Sequence, residues 1–233
     1  MLDVAGATTS SSIILDSVAI GYGSARLPLA PISLRIDFGE RIAIVGYNGV
    51  GKSTLLRTLT RDLVPVDGDV AVGRDLLFGN LAQEHEGLPR DQTPRTYLAQ
   101  LSGVDPFDAG VRLIQYGLTR QQVDKPIGQL NPGARARALL ASFSLRKVNT
   151  LVLDEPTNHL DAEGIREVIA TLKDYEGTVV AVSHSRDFLS AVQFSRVLLL
   201  SQNGLSEVES IDDFMATTAE TARDVVALGL ASR

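Results

Sequence analysis

Four unbroken apolar runs punctuate the chain, at Ile42–Val45, Leu151–Leu153, Val179–Val182 and Val197–Leu200. Runs this short and this continuous predict strands buried on both faces of a parallel sheet, spanning Arg41–Val45, Thr150–Asp154, Thr178–Val182 and Arg196–Leu200. Helical patterns separate them. Ser53–Thr60 reads as a helix. Asn131-Pro132-Gly133 opens another, with Asn131 as N-cap and Pro132 at the first helical position, running to about Arg146. Asp161–Asp174 carries Ile165, Val168, Ile169 and Leu172 on one face, and Arg186–Val192 follows. This alternation predicts an α/β fold, a mainly parallel sheet with helices on both faces.

The amino-terminal part is different. Ser12–Ile20 and the alternating Ile32–Ile36 read as strands, joined through a turn at Gly21-Tyr22-Gly23 and a loop marked by Pro28 and Pro31. Asp37–Glu40 turns into the strand at 41. Val64–Gly68 breaks the chain, and Asp69–Val72 and Leu76–Leu81 read as further short strands, giving an antiparallel β region ahead of the main alternation. Residues 84–130 are polar and punctuated by Pro89, Pro94, Pro106 and Pro126, with helices at Pro94–Leu101 and Ala109–Tyr116. One domain is expected: a flexible leader at 1–12, an α/β core from 13–83 and 138–210, a small inserted helical subdomain at 84–137, and a surface helix within 211–233.

Composition adds limits. The 233 residues suffice for one large domain. There is no cysteine, so disulfides and thiolate metal sites are excluded, which fits a reducing compartment such as the cytoplasm. No apolar run approaches the roughly 20 residues needed to span a bilayer, and residues 1–12 lack the basic start of a signal peptide. The net charge of −6 gives no bulk attraction to nucleic acid.

The chemistry concentrates in Gly46-Tyr47-Asn48-Gly49-Val50-Gly51-Lys52-Ser53-Thr54. It fits G-x-x-x-x-G-K-[ST], the phosphate-binding loop, with a strand before it and a helix after it. Glycines let the backbone N–H groups turn inward onto an anion. Lys52 can bridge the outer phosphates, and the Ser53 hydroxyl can ligate Mg²⁺. The helix presents its positive end to the same anion. A glycine-rich turn is the plain alternative. Asp154 emerges at the carboxyl end of its apolar strand, where ligands bind in such sheets, and can hold Mg²⁺. Glu155 can act as general base on the attacking water; a surface acidic pair is the alternative. His184 follows the strand at 178–182 and can donate to a γ-phosphate, or be a loop histidine. Gln83 can contact Mg²⁺ or the water, or be merely exposed. Tyr22 can stack on adenine, or simply pack.

Tyr22, the loop 46–54, Gln83, Leu130–Arg137, Leu151–Glu155, Pro156–Asp161 and His184 occur in the order of an ATP-binding cassette (ABC) domain, and the resemblance covers about residues 13–210. It implies the P-loop NTPase fold of that family and an ATPase using ATP and Mg²⁺. In that family two cassettes meet head to tail and share each site. By resemblance Tyr22 stacks on adenine, Gln83 reads Mg²⁺ and the γ-phosphate, Glu155 activates water and His184 holds the γ-phosphate. Asn131 and Gly133 belong to the signature loop that caps a partner's γ-phosphate, and Asp161 closes the segment after Glu155. The wording of 155–161 resembles the ABC-F branch, whose members act on ribosomes and some of which protect them from antibiotics; the short helical region resembles its second cassette. The signature departs from the Leu-Ser-Gly-Gly-Gln type. Asn131 stands for serine, and Pro132, which has no N–H, stands for the first glycine. Three functions compete: an ABC-F cassette working on the ribosome, the ATP-binding subunit of a membrane transporter, and a module in which ATP only closes a dimer.

Overall fold

The computed structural model describes residues 11–80, 88–158, 160, 162–173 and 175–208. In chain order these form β1 (Ser12–Ala19), β2 (Gly21–Tyr22), β3 (Ala25–Arg26), β4 (Ile32–Asp37), β5 (Arg41–Val45), α1 (Lys52–Leu59), β6 (Asp67–Val72), β7 (Phe78–Asn80), α2 (Pro94–Ser102), α3 (Pro106–Gln115), α4 (Arg120–Val123), α5 (Pro132–Leu145), β8 (Thr150–Asp154), α6 (Ala162–Lys173), β9 (Thr178–Val182), α7 (Arg186–Val192), β10 (Arg196–Ser201) and β11 (Gly204–Val208). Residues 1–10 of the leader expected at 1–12, the helix within 211–233, Gln83 and Asp161 lie outside the described residues, whereas Ser12 does not belong to a leader: it is buried and opens β1.

Six strands build the central sheet in the order β11-β10-β5-β9-β8-β7. All its pairings are parallel except β10 with β11. The strand that ends at the phosphate loop, β5, therefore lies between β10 and β9, and β9 separates it from β8. The carboxyl ends of β5, β9 and β8 stand side by side.

Because successive side chains point to opposite faces, each central strand feeds two cores. Ala43, Val45, Leu151, Leu153, Val179 and Ala181 pack on one side against Leu139 and Phe143 of α5, Val168 and Leu172 of α6 and Phe188 of α7. Ile42, Ile44, Val152, Val180 and Leu198 pack on the other against Leu55 and Leu59 of α1 and the antiparallel sheet β4-β1-β6. That sheet pairs Ile13 with Ile36 and Leu15 with Leu34, with a register shift between Leu15 and Val18, where Ser17 takes a φ of +52°.

The helical region has a small core of its own, Leu98, Ala109, Leu113, Leu118 and Val123, completed by Ala138 and Ala141 of α5. α5 is thus apolar nearly all round because it is buried on two sides, by the subdomain and by the sheet. Thr93 and Asp105 cap α2 and α3. α3 starts at Pro106 rather than at the expected Ala109, since proline is suited to a first helical turn. α4, β11 and the β2–β3 hairpin are additions to the sequence-based expectation. β7 starts at Phe78, after Leu77.

Candidate functional site

The loop after β5 is shaped by backbone geometry first. Gly46, Gly49 and Gly51 take φ values of +154°, +80° and +112°. A Cβ on Gly51 would stand 2.7 Å from Leu27 Cδ1, so the loop lies tight against the hairpin side of the fold. Inside the loop Val50 N–H donates to the Tyr47 carbonyl, and Leu55 N–H closes the first helical bond to Gly51 O at 2.8 Å.

Lys52 is only 7% exposed, and its Nζ donates to the carbonyls of Gly46 (2.9 Å) and Tyr47 (3.0 Å). Its charge is thus held over the loop by the loop itself. Burial pushes the ammonium below the ordinary lysine range, and nearby Glu155 and Asp154 partly pull it back. Such a cation gains from an anion seated in the loop.

Tyr22 ends β2, and its hydroxyl lies 3.2 Å from Thr54 Oγ1. That contact turns the half-exposed ring toward the first turn of α1. Together Tyr22, Asn48, Gly49, Gly51, Lys52, Ser53, Thr54, Asp154 and Glu155 line one open cleft of about 460 Å³. Leu27 and Val182 line it as well, and nothing in their sequence context marks them out. Tyr47 is exposed, and it, Gly46 and Val50 are not among the residues lining the cleft.

Asp154 ends β8 opposite Val182 of β9, and Glu155 N–H donates to Val182 O at 2.9 Å. Glu155 leaves the sheet in a left-handed conformation, φ +47°, a conformation rare for a residue with a Cβ and enriched at functional sites. Its carboxylate is held by His184, two residues after β9. The backbone N–H of His184 donates to Oε2 at 3.3 Å, and His184 Nε2 lies 3.3 Å from Oε1. Ser185 then caps α7 by accepting from Phe188 N–H.

The donor set fits Mg-ATP. The glycine cradle, the buried Lys52 ammonium and the helix end suit a polyphosphate. Ser53 and Asp154, on the same cleft, are hard oxygen donors suited to Mg²⁺. Among the described residues no group of three or more His, Cys, Asp or Glu could hold a metal by themselves.

The signature residues stand elsewhere. Asn131 Oδ1 accepts from Ala134 N–H at 2.8 Å and so caps α5. Neither Asn131 nor Gly133 is among the residues lining the cleft. Within one chain the structure brings together Tyr22, the loop, Asp154, Glu155 and, through Glu155, His184, and it keeps the α5 start apart.

Comparison with known proteins agrees with this geometry. The family described as ABC transporter matches residues 29–158. The chain is 34% identical over 185 residues to the uncharacterized ABC transporter ATP-binding protein YfmM of Bacillus subtilis, covering 78% of this chain and 35% of that protein. It is 39% identical over 170 residues to ABC transporter F family member 4 of Arabidopsis thaliana, covering 70% and 24%. It is 33% identical over 213 residues to ATP-binding cassette sub-family F member 3 of Mus musculus, covering 90% and 30%. The chain thus spans about a third or less of the length of these relatives. In fold it resembles cbiO1 of Clostridium perfringens, part of the ABC transporter complex cbiONQ, with a TM-score of 0.72 at 21% identity over 93% of this chain and 94% of that one. It also resembles the dimeric cassette MJ0796, with a TM-score of 0.66 at 21% identity over 85% of this chain and all of that one.

Proposed function

The chain belongs to the ABC transporter family of ATP-binding cassettes, and from that premise we propose that it binds and hydrolyses Mg-ATP in a head-to-tail pair of cassettes, as part of an ABC-F type protein acting on the ribosome in the cytoplasm. The observation that carries the hydrolytic part is the position of Glu155: a carboxylate on the nucleotide cleft, fixed by a left-handed backbone and by two contacts from His184.

The roles follow from position. Lys52 and the loop N–H groups hold the phosphates, Ser53 and Asp154 hold Mg²⁺, and Tyr22 takes the base. The metal, when bound, neutralises charge on the transferring phosphoryl group. Glu155 accepts the proton of the attacking water. His184, which orients Glu155 in the structure, turns to the γ-phosphate once nucleotide is present. Gln83 and Asp161 have roles by resemblance only. The separation of Asn131 and Gly133 from the cleft supports a site completed in trans. A partner's signature supplies the lid, and this chain's α5 start serves the partner. MJ0796, similar in fold, is a dimeric cassette.

Two features favour the ABC-F reading: the wording of 155–161 and relatives named as subfamily F members. From these the proposal extends to translation or to antibiotic resistance by ribosome protection. A second reading, the ATP-binding subunit of a membrane transporter, draws on one observation. Phe107, Val111 and Ile114, spaced along α3, leave an apolar face exposed on the helical region, and an apolar segment of a membrane chain could cover it. No helix among the described residues is long and apolar enough to cross a membrane itself. A third reading, in which ATP only closes the dimer, leaves the fixed Glu155 carboxylate without a task.

Co-sedimentation of the Glu155→Gln protein, in its full-length parent, with ribosomes and separately with membranes decides between the first two. ATP-dependent recovery with ribosomes is expected. Recovery only with membranes selects the transporter.

A further inference from the structure

The start of α5 rests on α6, and one side chain sets the gap. Gly133 is buried, and a Cβ there would collide with the Glu167 carboxylate, with the Cα of Gly164 next at 3.4 Å. The other carboxylate oxygen, Oε1, accepts from Arg137 Nη1 at 2.6 Å, one turn further along α5. Both side chains are largely buried, 17% and 16% exposed. Arg137 is itself wedged beside Gly117, two residues past the end of α3, with its Cδ 3.4 Å from where a Cβ on that glycine would stand.

The arrangement is poorly explained as a stabilising pair. Glu167 Oε2 and Arg137 Nε are both buried with no hydrogen-bond partner, and a half-satisfied buried ion pair contributes little or nothing to stability relative to an apolar packing. What it does supply is a fixed length. Glu167 reaches from the second turn of α6 to the first turn of α5 and stops against the Gly133 backbone. At that position the carboxylate also meets the positive end of a 14-residue helix. Asn131 is spent on capping Ala134, and Pro132 has no N–H, so the segment has few bonds of its own to fix its height.

We propose that Glu167, braced by Arg137, is a positioning residue for the signature segment: it sets how far Asn131–Gly133 projects toward a nucleotide bound by a partner cassette. This rests on the composite-site reading above. It makes the length of the side chain at 167, and not only its charge, a determinant of turnover at the partner's site.

The test uses two populations of the full chain. One has an intact nucleotide site. The other carries Lys52→Ala, so it offers only its signature, together with Glu167→Asp, Gly133→Ala or both. Each single change should lower turnover at the intact site about tenfold, since displacements of about 1 Å from productive geometry cost up to about a hundredfold. KM for ATP should stay unchanged. In the double variant the alanine Cβ fills the space that the shorter aspartate vacates, and turnover should return to within about threefold of the unmodified pair, as coupled neighbours are non-additive. Separately, Glu167→Asp with Lys52 intact should bind nucleotide as the unmodified chain does. Arg137→Lys, which keeps the charge but shortens the brace, provides a second single variant should Gly133→Ala misfold, and it should also reduce only the partner's turnover. Single variants without effect, or a double variant as impaired as the product of the two, overturn the inference. If turnover by the unmodified protein is independent of a second chain, the composite-site reading fails instead, and the positioning role falls with it.

Discussion

The Glu155 carboxylate is held from both sides of one residue: His184 offers its backbone N–H to Oε2 and its Nε2 to Oε1, each at 3.3 Å. Two adjacent strands thereby fix one carboxylate, because Glu155 directly follows β8 and His184 lies two residues after β9. Glu155→Gln keeps the shape and removes the base. Turnover should fall at least about a hundredfold, the lower end of what general-base catalysis supplies, while ATP binding persists and the ATP-bound dimer accumulates. Light scattering with and without ATP, beside a phosphate-release assay, checks both halves. A variant that still hydrolyses would remove Glu155 from its role.

His184→Ala tests the same contact from its other end. The backbone N–H survives, so Glu155 keeps one of its two holds. A partial loss of turnover is expected, about tenfold, the scale of one hydrogen bond to a charged group, with nucleotide affinity changed less than turnover. Rate and affinity measured on one preparation separate the two.

At Tyr22 the ring and the hydroxyl can be tested apart. The hydroxyl meets Thr54 at 3.2 Å, but the ring is what a base would stack on. Tyr22→Phe should keep ATP affinity within about fivefold, the worth of one ordinary hydrogen bond. Tyr22→Ala should weaken it by about tenfold or more, the scale of one base–aromatic stack. Titration with a fluorescent ATP analogue distinguishes them, and equal effects would show that the ring takes no base.

Lys52 predicts a pH dependence whose sign follows from its burial. Its ammonium sits below the ordinary value of 10.5. Phosphate binding needs the protonated form, so affinity is full below the lowered value and falls as pH rises through it. The decline should begin at a lower pH than that at which a solvent-exposed lysine titrates. Without nucleotide the folding linkage has the opposite sign. The folded chain binds this proton less tightly than the unfolded chain, so the Lys52 contribution to stability rises with pH between the lowered value and 10.5. Lys52→Ala should remove that slope and abolish tight nucleotide binding. Denaturant melts across alkaline pH, with and without ATP, measure both.

Much of this was legible in the sequence wherever a signal is local. The strands at 41–45, 150–154 and 178–182 are central and buried on both faces, so their apolar runs match the structure residue for residue. The phosphate loop is contiguous, and its strand-loop-helix context could be read directly. β11 was missed because Gly204–Val208 is an edge strand whose mixed side chains carry no period. α4 is one turn long and held by its Thr119–Gln122 capping box, too short for periodicity. The Glu155–His184 contact joins positions 29 apart in sequence, and that between Gly133 and Glu167 spans more. Each residue looks ordinary in its own segment, and only the packing of two elements makes the pair.

The signature itself supplies the sharpest test of the shared site. Pro132 starts α5 well, since its fixed φ suits a first helical turn. As a donor it is silent, and the segment's remaining polar side chain, Asn131, turns its Oδ1 inward to Ala134 N–H. On the shared-site proposal, the Asn131 amide Nδ2 and the Gly133 N–H are the donors left for a partner's γ-phosphate. Pro132→Gly restores a backbone N–H at that point. One hydrogen bond to a charged group is worth about 1.5–3 kcal/mol, so turnover at the partner's site should rise by about tenfold or more. The same change frees the unfolded chain and should lower stability by about 0.4–1 kcal/mol. The two effects point in opposite directions, which protects the test from a trivial outcome: a merely better-folded protein cannot produce both. Mixed chains, one with an intact site and one carrying Lys52→Ala with Pro132→Gly, read turnover in trans, and a denaturant melt reads the loss. A variant less stable but no faster would mean that the N–H missing at Pro132 never faced the phosphate, and that the α5 start does not serve as the lid.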